Sequence, residues 1–409
     1  MNDTLKSFSM RMHRNFERLV ELARESHLHG RTPNGITERD IALARLYSHA
    51  FRGQVIGAFD ATRKALLSCP SADALAALHL LRADELLADL ANRSMDPVGE
   101  DVRALVSTFH HYATHLARTV DALDSASRLD RSPELVRVRD LFVARMEAIT
   151  SGNGLYLTRD TFAPEQGSFV VPNLGITIVP LVYGDHHSWN LAWLDAERPE
   201  VPYHLHHEGV EIHIGYSPMH GYTVLGDTKA ELAEGYAMPI PPNTRHGYTN
   251  IGNQAHHLPF IFGSLKRGGW GVFFDVEPQP RELNDLATAP VQSELLNGTV
   301  KIEAEIAKAV EQPCSVRYPI IPAERTDRDG VGGLELSVCC VTPLGFEFRP
   351  DRFCAISVVR GEGVLELAGE RTAIAPHDHF GVPAGLHATI TQTGAEPLVL
   401  LDSVIRPAA

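Results

Sequence analysis

Between Tyr203 and Asn250 the chain carries two clusters whose residue types suit a metal ion, His204-Leu-His206-x4-Glu211 and Gly235-x5-Pro241-x-Asn243-x2-His246-x3-Asn250. Histidines two residues apart point to the same side of a β-strand. The turn His207-Glu208-Gly209 then returns the chain, so that Glu211 can face the same centre from the next strand. The Pro-Asn-Thr tract makes a tight turn before a final strand, which delivers His246. Three neutral imidazoles and one carboxylate can hold one divalent transition metal (iron, zinc, manganese or nickel) and leave coordination positions free. Chemistry of that kind implies an enzyme with a small-molecule substrate.

Alternation extends the inward set. If Glu211 faces the centre, so does His213; if His246 does, so do Tyr248 and Asn250. His213 and Tyr248 are the candidate catalytic acid/base pair, and Asn250 is a candidate substrate contact. Lys266-Arg267-Gly268-Gly269-Trp270 is the one compact basic, glycine-containing stretch of this region, so Lys266 and Arg267 are candidates for an anion clamp; a β-turn with two solvated charges is the alternative. Tyr216, Tyr222 and Arg245 could also lie at the mouth of the site. Ten of the 21 histidines fall between His186 and His257; His186, His187, His207, His220, His256 and His257 read as surface residues. His111 and His115 stand one helical turn apart but lack a third ligand nearby, and read as structural.

The elements that must position these residues change character along the chain. Residues 1–150 carry helical periodicity: Thr37-Glu-Arg-Asp40 resembles a capping box and opens an apolar pattern through Ile41, Leu46, Phe51 and Phe59. Breaks at Pro70, Pro97 and Pro133 mark further helices. From Ser151-Gly-Asn-Gly154 onward the period becomes that of strands, at Phe169–Val171, Gly175–Val182, Ser188–Leu194, Glu211–Tyr216 and Phe260–Gly263. Asn284–Ala309 looks helical again and links to a second strand-rich unit, with strands near Leu334–Val341, Cys354–Val359, Gly363–Leu367 and Leu398–Ser403.

Composition narrows the functional classes. The chain has 409 residues and a net charge of −14, yet residues 1–150 are balanced, with 20 basic and 20 acidic groups. The excess is all in the remaining 259 residues, with 17 basic against 31 acidic. So acidic a half argues against nucleic acid and against an anionic membrane surface. There is no apolar run of signal-peptide or transmembrane length, and the five cysteines form no spaced framework, so free thiols in the cytoplasm are expected.

The two metal-site clusters, over about residues 170–280, resemble the paired signature of the cupin superfamily. Carried over residue by residue, the resemblance implies His204, His206, Glu211 and His246 as metal ligands. Three glycines expected of that signature are replaced, by Arg198, Pro218 and Asn243; Asn tolerates φ > 0 better than other non-glycine residues, so the last change is mild. The C-terminal stretch Val359-Arg-Gly361-Glu-Gly363-Val-Leu-Glu-Leu, with Phe380-Gly-Val-Pro383-Ala-Gly385, is similar to the C-terminal β domain of type I phosphomannose isomerases. Aligned on Gly361, its metal positions would hold Glu347, Arg349 and Cys354, so this unit is expected to be metal-free, with His377, His379 and His387 on its surface or loops. The expected fold is α+β: an all-α domain over 1–150, a metal-binding jelly-roll barrel over 151–281, a helical linker over 282–313, and a degenerate jelly-roll barrel over 314–409. Bicupins and helical extensions commonly accompany assembly, which suggests a homodimer.

One fold hosts many reactions. The polar inward set favours a metal-dependent isomerase or epimerase on a small polar, anionic or carbohydrate-like substrate. A non-haem iron dioxygenase is the alternative and would want a more apolar pocket than His213 and Tyr248 suggest. A lyase or decarboxylase, and a regulatory ligand-binding bicupin, remain open.

Overall fold

The structure is a computed structural model that describes residues 158–159, 169–171, 174–184, 186–194, 200–215, 221–225, 228–231, 235–250, 256–266, 275–279, 287–288, 298–328, 330–367, 370–382 and 384–407. The helices expected within 1–150, His111 and His115, and Arg267 of the basic tract lie outside those residues. Val170–Ala409 belongs to one compact unit, which holds both strand-rich regions.

The first β unit comprises β1 (Thr177–Tyr183), β2 (His187–Leu194), β3 (Glu200–Leu205), β4 (Val210–Gly215), β5 (Gly221–Leu225), β6 (Thr228–Glu231), β7 (Tyr236–Ile240), β8 (His246–Asn250) and β9 (His256–Gly263). One sheet orders its main strands β7-β4-β9-β2-β1, and the facing sheet β3-β8-β5-β6. In the first of these sheets β4 is buried at every position, and β2 at all but one. A strand buried on both faces must be covered twice.

Parity shows what covers each face. Trp189 and Leu191 on β2, Val210, Ile212 and Ile214 on β4, and Ile261 on β9 join one apolar cluster. Their neighbours one position away, Ala192, Glu211, His213, Phe260 and Phe262, line a cavity on the other side. Each strand thus sends one row of side chains into the barrel and the other against the second β unit.

That second unit supplies the rest of the cluster. Helix α1 (Ile302–Val310) buries Ile302, Ile306 and Ala309 on one face. It is followed by β10 (Val316–Ile321), β11 (Gly333–Val341), β12 (Phe346–Phe348), β13 (Cys354–Arg360), β14 (Gly363–Leu367), β15 (Glu370–Ile374), β16 (Asp378–Val382), β17 (Ala388–Gln392) and β18 (Leu398–Arg406). The sheets run β16-β13-β18-β11-β10 and β12-β17-β14-β15. Leu336, Val338, Ala355, Leu401 and Ile405 meet the outward row of the first barrel in a shared core. Phe353 is wedged at this seam: a Cβ on Gly184 would come within 2.2 Å of its ring, and one on Gly381 within 2.6 Å. Glycine is what lets the two backbones close on that ring.

Two expectations need correction. Within the expected helical linker only Ile302–Val310 is helical among the described residues; Ala287–Thr288 instead pairs in parallel with Thr228–Lys229. That pairing is made with a strand of the first barrel, beyond the reach of local periodicity. Neither His187 nor His379 is a surface residue: His187, on β2, is buried with Nε2 3.0 Å from the Ser403 carbonyl oxygen, and His379, on β16, is fully buried with its ring centroid 6.1 Å from that of Trp189 at the seam. His377 and His387 are exposed.

Candidate metal centre

His204 lies one residue before the end of its strand, β3, facing inward, and His206 follows two positions later on the same side. Both are buried, as are Glu211 on β4 and His246 at the start of β8. His246 and His204 sit directly opposite in antiparallel register. One donor atom from each of the four residues lies within 4.8 Å of every other. Asn243, before β8, takes φ +58°, the conformation a glycine would otherwise supply, and its N–H donates to the His206 carbonyl at 2.7 Å. The turn between the two motifs is therefore tied to the histidine it must present.

The proton positions follow from the partners. His204 Nδ1 lies 2.6 Å from the Pro202 carbonyl, His206 Nδ1 2.6 Å from the Asp275 carbonyl, and His246 Nδ1 2.9 Å from the Thr244 carbonyl. A carbonyl can only accept, so each Nδ1 carries the hydrogen, and each Nε2 of a neutral ring is a bare lone pair. Those lone pairs converge: His204 Nε2 and His206 Nε2 are 3.1 Å apart. Glu211 Oε2 stands 3.0 Å from His246 Nε2 and 3.6 Å from His206 Nε2. Lone pairs held this close repel one another unless a cation lies among them, so the donor set fits one divalent ion.

Electrostatics keep the donors in the required state. Burial, reinforced by its histidine neighbours, lowers His204 well below the ordinary imidazole range. Burial and the charge of His246 bring His206 down to about 4. For Glu211 burial opposes ionisation, but His213 and His246 outweigh it and hold the carboxyl well below its usual range. Near pH 7 His204 and His206 are therefore neutral imidazoles beside the Glu211 carboxylate.

The other expected site residues fall in different places. His213 is buried on β4, lines the cavity, and sets its Nε2 3.1 Å from Glu211 Oε1. Tyr248 is fully buried, with burial pushing its hydroxyl up, but it is not among the residues lining the cavity. The β8 register against β3 shifts between His246 and Tyr248, whereas its pairing with β5 is regular over the same residues. Asn250 closes β8 opposite Gly221. Lys266 is exposed and outside the cavity lining. His207 is exposed at the rim, with Nδ1 3.0 Å from Asn243 Oδ1 and Nε2 2.7 Å from Glu277 Oε2.

Sequence reasoning missed two parts of the site. One is Asp275, whose carbonyl orients His206 and whose carboxylate accepts from the Glu208 N–H. The other is the wall. Ile176, Ile178, Ala192, Val201, Leu258, Phe260, Phe262 and Val276 line the cavity, and the Phe262 ring packs 4.4 Å from that of His206. The pocket they line opens toward solvent, and its empty space, the solvent side included, is about 370 Å³. Alternation along Leu258, Phe260 and Phe262 was the available signal.

Two facing sheets closing on three inward imidazoles and one carboxylate give this unit a cupin-like architecture with a cluster that could hold one metal ion. No protein-family model matches the chain, and no curated protein matches it. Among solved structures, the chain is similar to salicylate 1,2-dioxygenase from Pseudoaminobacter salicylatoxidans as its adduct with gentisate. The two share 15% identity over 54% of this chain and 69% of that chain, with a TM-score of 0.44. It is also similar to a cupin 2 conserved barrel domain protein from Leptotrichia buccalis, at 10% identity over 56% of this chain and 89% of that chain, with a TM-score of 0.37. Among the described residues no helix is long and apolar enough to cross a membrane.

Proposed function

We propose that the first barrel is the active site of a mononuclear non-haem iron(II) dioxygenase. Its substrate would be a small molecule with one metal-chelating polar edge and an apolar, aromatic-sized body. The observation that carries this reading is the wall of the cavity. Apart from His204, His206, Glu211 and His213, every side chain in the described lining is apolar. A sugar or sugar acid placed there would leave hydroxyls without partners, at roughly 1–3 kcal/mol for each buried group. The isomerase expectation rested on a polar interior, and this lining does not provide one.

His204, His206, Glu211 and His246 would hold the ion. When bound, it would supply redox chemistry and open positions for the chelating substrate and for oxygen. The chain's own contribution is positional. The carbonyls of Pro202, Asp275 and Thr244 fix which imidazole nitrogen faces the centre. His213 holds Glu211 Oε1, which leaves Oε2 turned toward His246. Phe260 and Phe262 would flank the body of the substrate and exclude water.

The test is oxygen uptake by the iron-reconstituted full chain on a panel of ortho-hydroxy aromatic acids. Uptake matching substrate loss is expected. His206→Ala and Glu211→Ala should abolish both turnover and metal retention while leaving the circular dichroism of the fold in place. Turnover that proceeds at the same rate without oxygen would overturn the reading in favour of an isomerase or lyase, and full metal occupancy in both variants would overturn the ligand assignment.

A further inference from the structure

We infer that Leu174 and Val276 form the lips of the cavity and determine what it accepts, selecting a ring whose outward end carries an alkyl group rather than a charge or a hydroxyl. The inference rests on the metal-site reading above for the chelating end of the molecule and adds the other end.

The lining changes in one respect where it meets solvent. Leu174 and Val276 are half-buried, whereas every other residue of the described lining is buried. The pocket opens toward solvent, so these two stand where it opens. Topology places them there. Beyond β1 the first sheet ends in Phe169–Val170, and beyond β3 the facing sheet ends in Glu277–Pro278. Leu174 lies in the turn that joins Phe169–Val170 to β1, and Val276 directly precedes Glu277. One lip thus belongs to the outer edge of each sheet.

Both lips are held by the backbone. Around Val276, Glu277 and Pro278 pair with Leu205 and His204, the Gln279 N–H donates to the Tyr203 carbonyl at 2.8 Å, and the Asp275 carbonyl accepts from His206 Nδ1 at 2.6 Å. Alternation in this edge segment turns the valine to the cavity and leaves Glu277 exposed. At the other lip the N–H groups of Leu174 and Gly175 both donate to the Val171 carbonyl, at 3.2 and 2.8 Å. Gly175 takes φ +70°, which lets the chain reverse there. Neither lip offers a hydrogen-bonding side chain. A charged or hydroxylated group lodged between them would lose water without gaining a side-chain partner. A methylene in the same place covers apolar surface, for about two- to fourfold in affinity.

The test uses the full chain loaded with zinc(II), which is redox-inert, and hydroxamates, which chelate zinc through two oxygens. Neither oxygen chemistry nor the natural head group then enters the result. Affinities of benzohydroxamate and of its 3-propyl and 4-propyl derivatives are measured calorimetrically in the wild type and in Leu174→Asn with Val276→Thr. Both exchanges nearly conserve volume, and zinc stoichiometry is checked in each sample. At least one propyl derivative is expected to bind the wild type about tenfold more tightly than benzohydroxamate, from three methylenes at the lips. The double variant should bring that ratio close to one, while benzohydroxamate itself keeps its affinity within about twofold. In the opposite direction, Leu174→Trp with Val276→Phe should slow benzohydroxamate association about tenfold or more in stopped flow. An undiminished ratio in the polar pair, no propyl derivative binding more tightly than benzohydroxamate, or unslowed association in the bulky pair would each overturn the assignment. The expected ratios with no oxygen uptake by the iron form would leave the lips standing and refute the dioxygenase reading alone.

Discussion

Without its ion, the metal cluster should make the first barrel acid-labile, by an amount that can be worked out. His206 titrates near 4 in the fold, against an ordinary value of 6.5. The unfolded chain therefore binds more protons between those values, and stability must fall as pH falls through that window. From pH 7.5 to pH 5 this one group removes about 2 kcal/mol, and His204, shifted in the same direction, adds to it. Stopping at pH 5 keeps most carboxylates out of the measurement. The chain's three tryptophans, Trp189, Trp193 and Trp270, all lie within residues 151–281, so their fluorescence reports on this region. Urea titrations of the chelator-stripped full chain should show the midpoint falling across that range. In His206→Gln the pH 7.5-to-5 difference should shrink by about 2 kcal/mol. If the variant keeps the wild-type acid loss, the buried neutral imidazole is not its source and the reasoning fails.

Two further perturbations separate strain from contact and pair from part. Gly361 and Gly385 share φ +74°, but a Cβ on Gly361 would stand 2.4 Å from the Pro397 carbonyl oxygen, whereas nothing lies within 4 Å of one on Gly385. Gly385→Ala should cost about 1 kcal/mol from its dihedral alone, and Gly361→Ala at least about 2 kcal/mol more, because backbone must move; equal melting temperatures for the two variants would show that the clash is relieved. In the second unit Arg317 Nε and Nη2 grip Asp402 at 2.7–3.2 Å. Asp402→Ala should cost about 3 kcal/mol, while Arg317→Met with Asp402→Leu should come within about 1 kcal/mol of wild type; strictly additive single costs in denaturant titrations would show that the two do not act as a pair.

What could be read from the sequence was local. His204 and His206 are two residues apart, so strand parity alone put them on one face, and the short turn brought Glu211 back against them. Parity also set His213 beside Glu211, where its ring does lie. The same rule placed Tyr248 in the inward set; it is fully buried, but it is not among the residues that line the cavity. The tolerance of Asn for φ > 0 anticipated the +58° at Asn243. Long-range features left no such trace. The Asp275 carbonyl is 69 residues from the ring it orients, and backbone carbonyls carry no signature. His379 sits under Trp189 because two barrels meet there, which no window around residue 379 could reveal.

Why one barrel would carry chemistry and the other not follows from what each turns inward. In the first, the inward row of β4, β9 and β2 reads Glu211, Phe262, Ser188 and then His213, Phe260, Asn190, and the cavity beside it is walled by Phe260, Phe262, Ile178 and Leu258. In the second, Leu401 faces the shared core, so its strand neighbour Asp402 faces the interior. There it is gripped by Arg317, whose guanidinium stacks 5.5 Å over Phe348 of the opposite sheet and reaches toward Glu335 at 3.5 Å. Arg406 closes the same chain of charges, at 2.9 Å from Glu335 and 3.3 Å from Asp351. Cys354 points its Sγ at Asp402 from 3.6 Å, and burial with that neighbouring charge pushes the thiol well up, away from the thiolate a metal would need. Among the described residues the one cluster able to hold an ion is that of His204, His206, Glu211 and His246. The second barrel thus holds a buried Asp402 paired with Arg317 where the first turns its donors inward, and its other face, through Leu336, Val338 and Leu401, shares a core with Val210, Ile212 and Ile214 of the strand that presents Glu211 and His213. A site that needs four donors held within a few tenths of an ångström gains its rigidity from a partner that never meets the substrate.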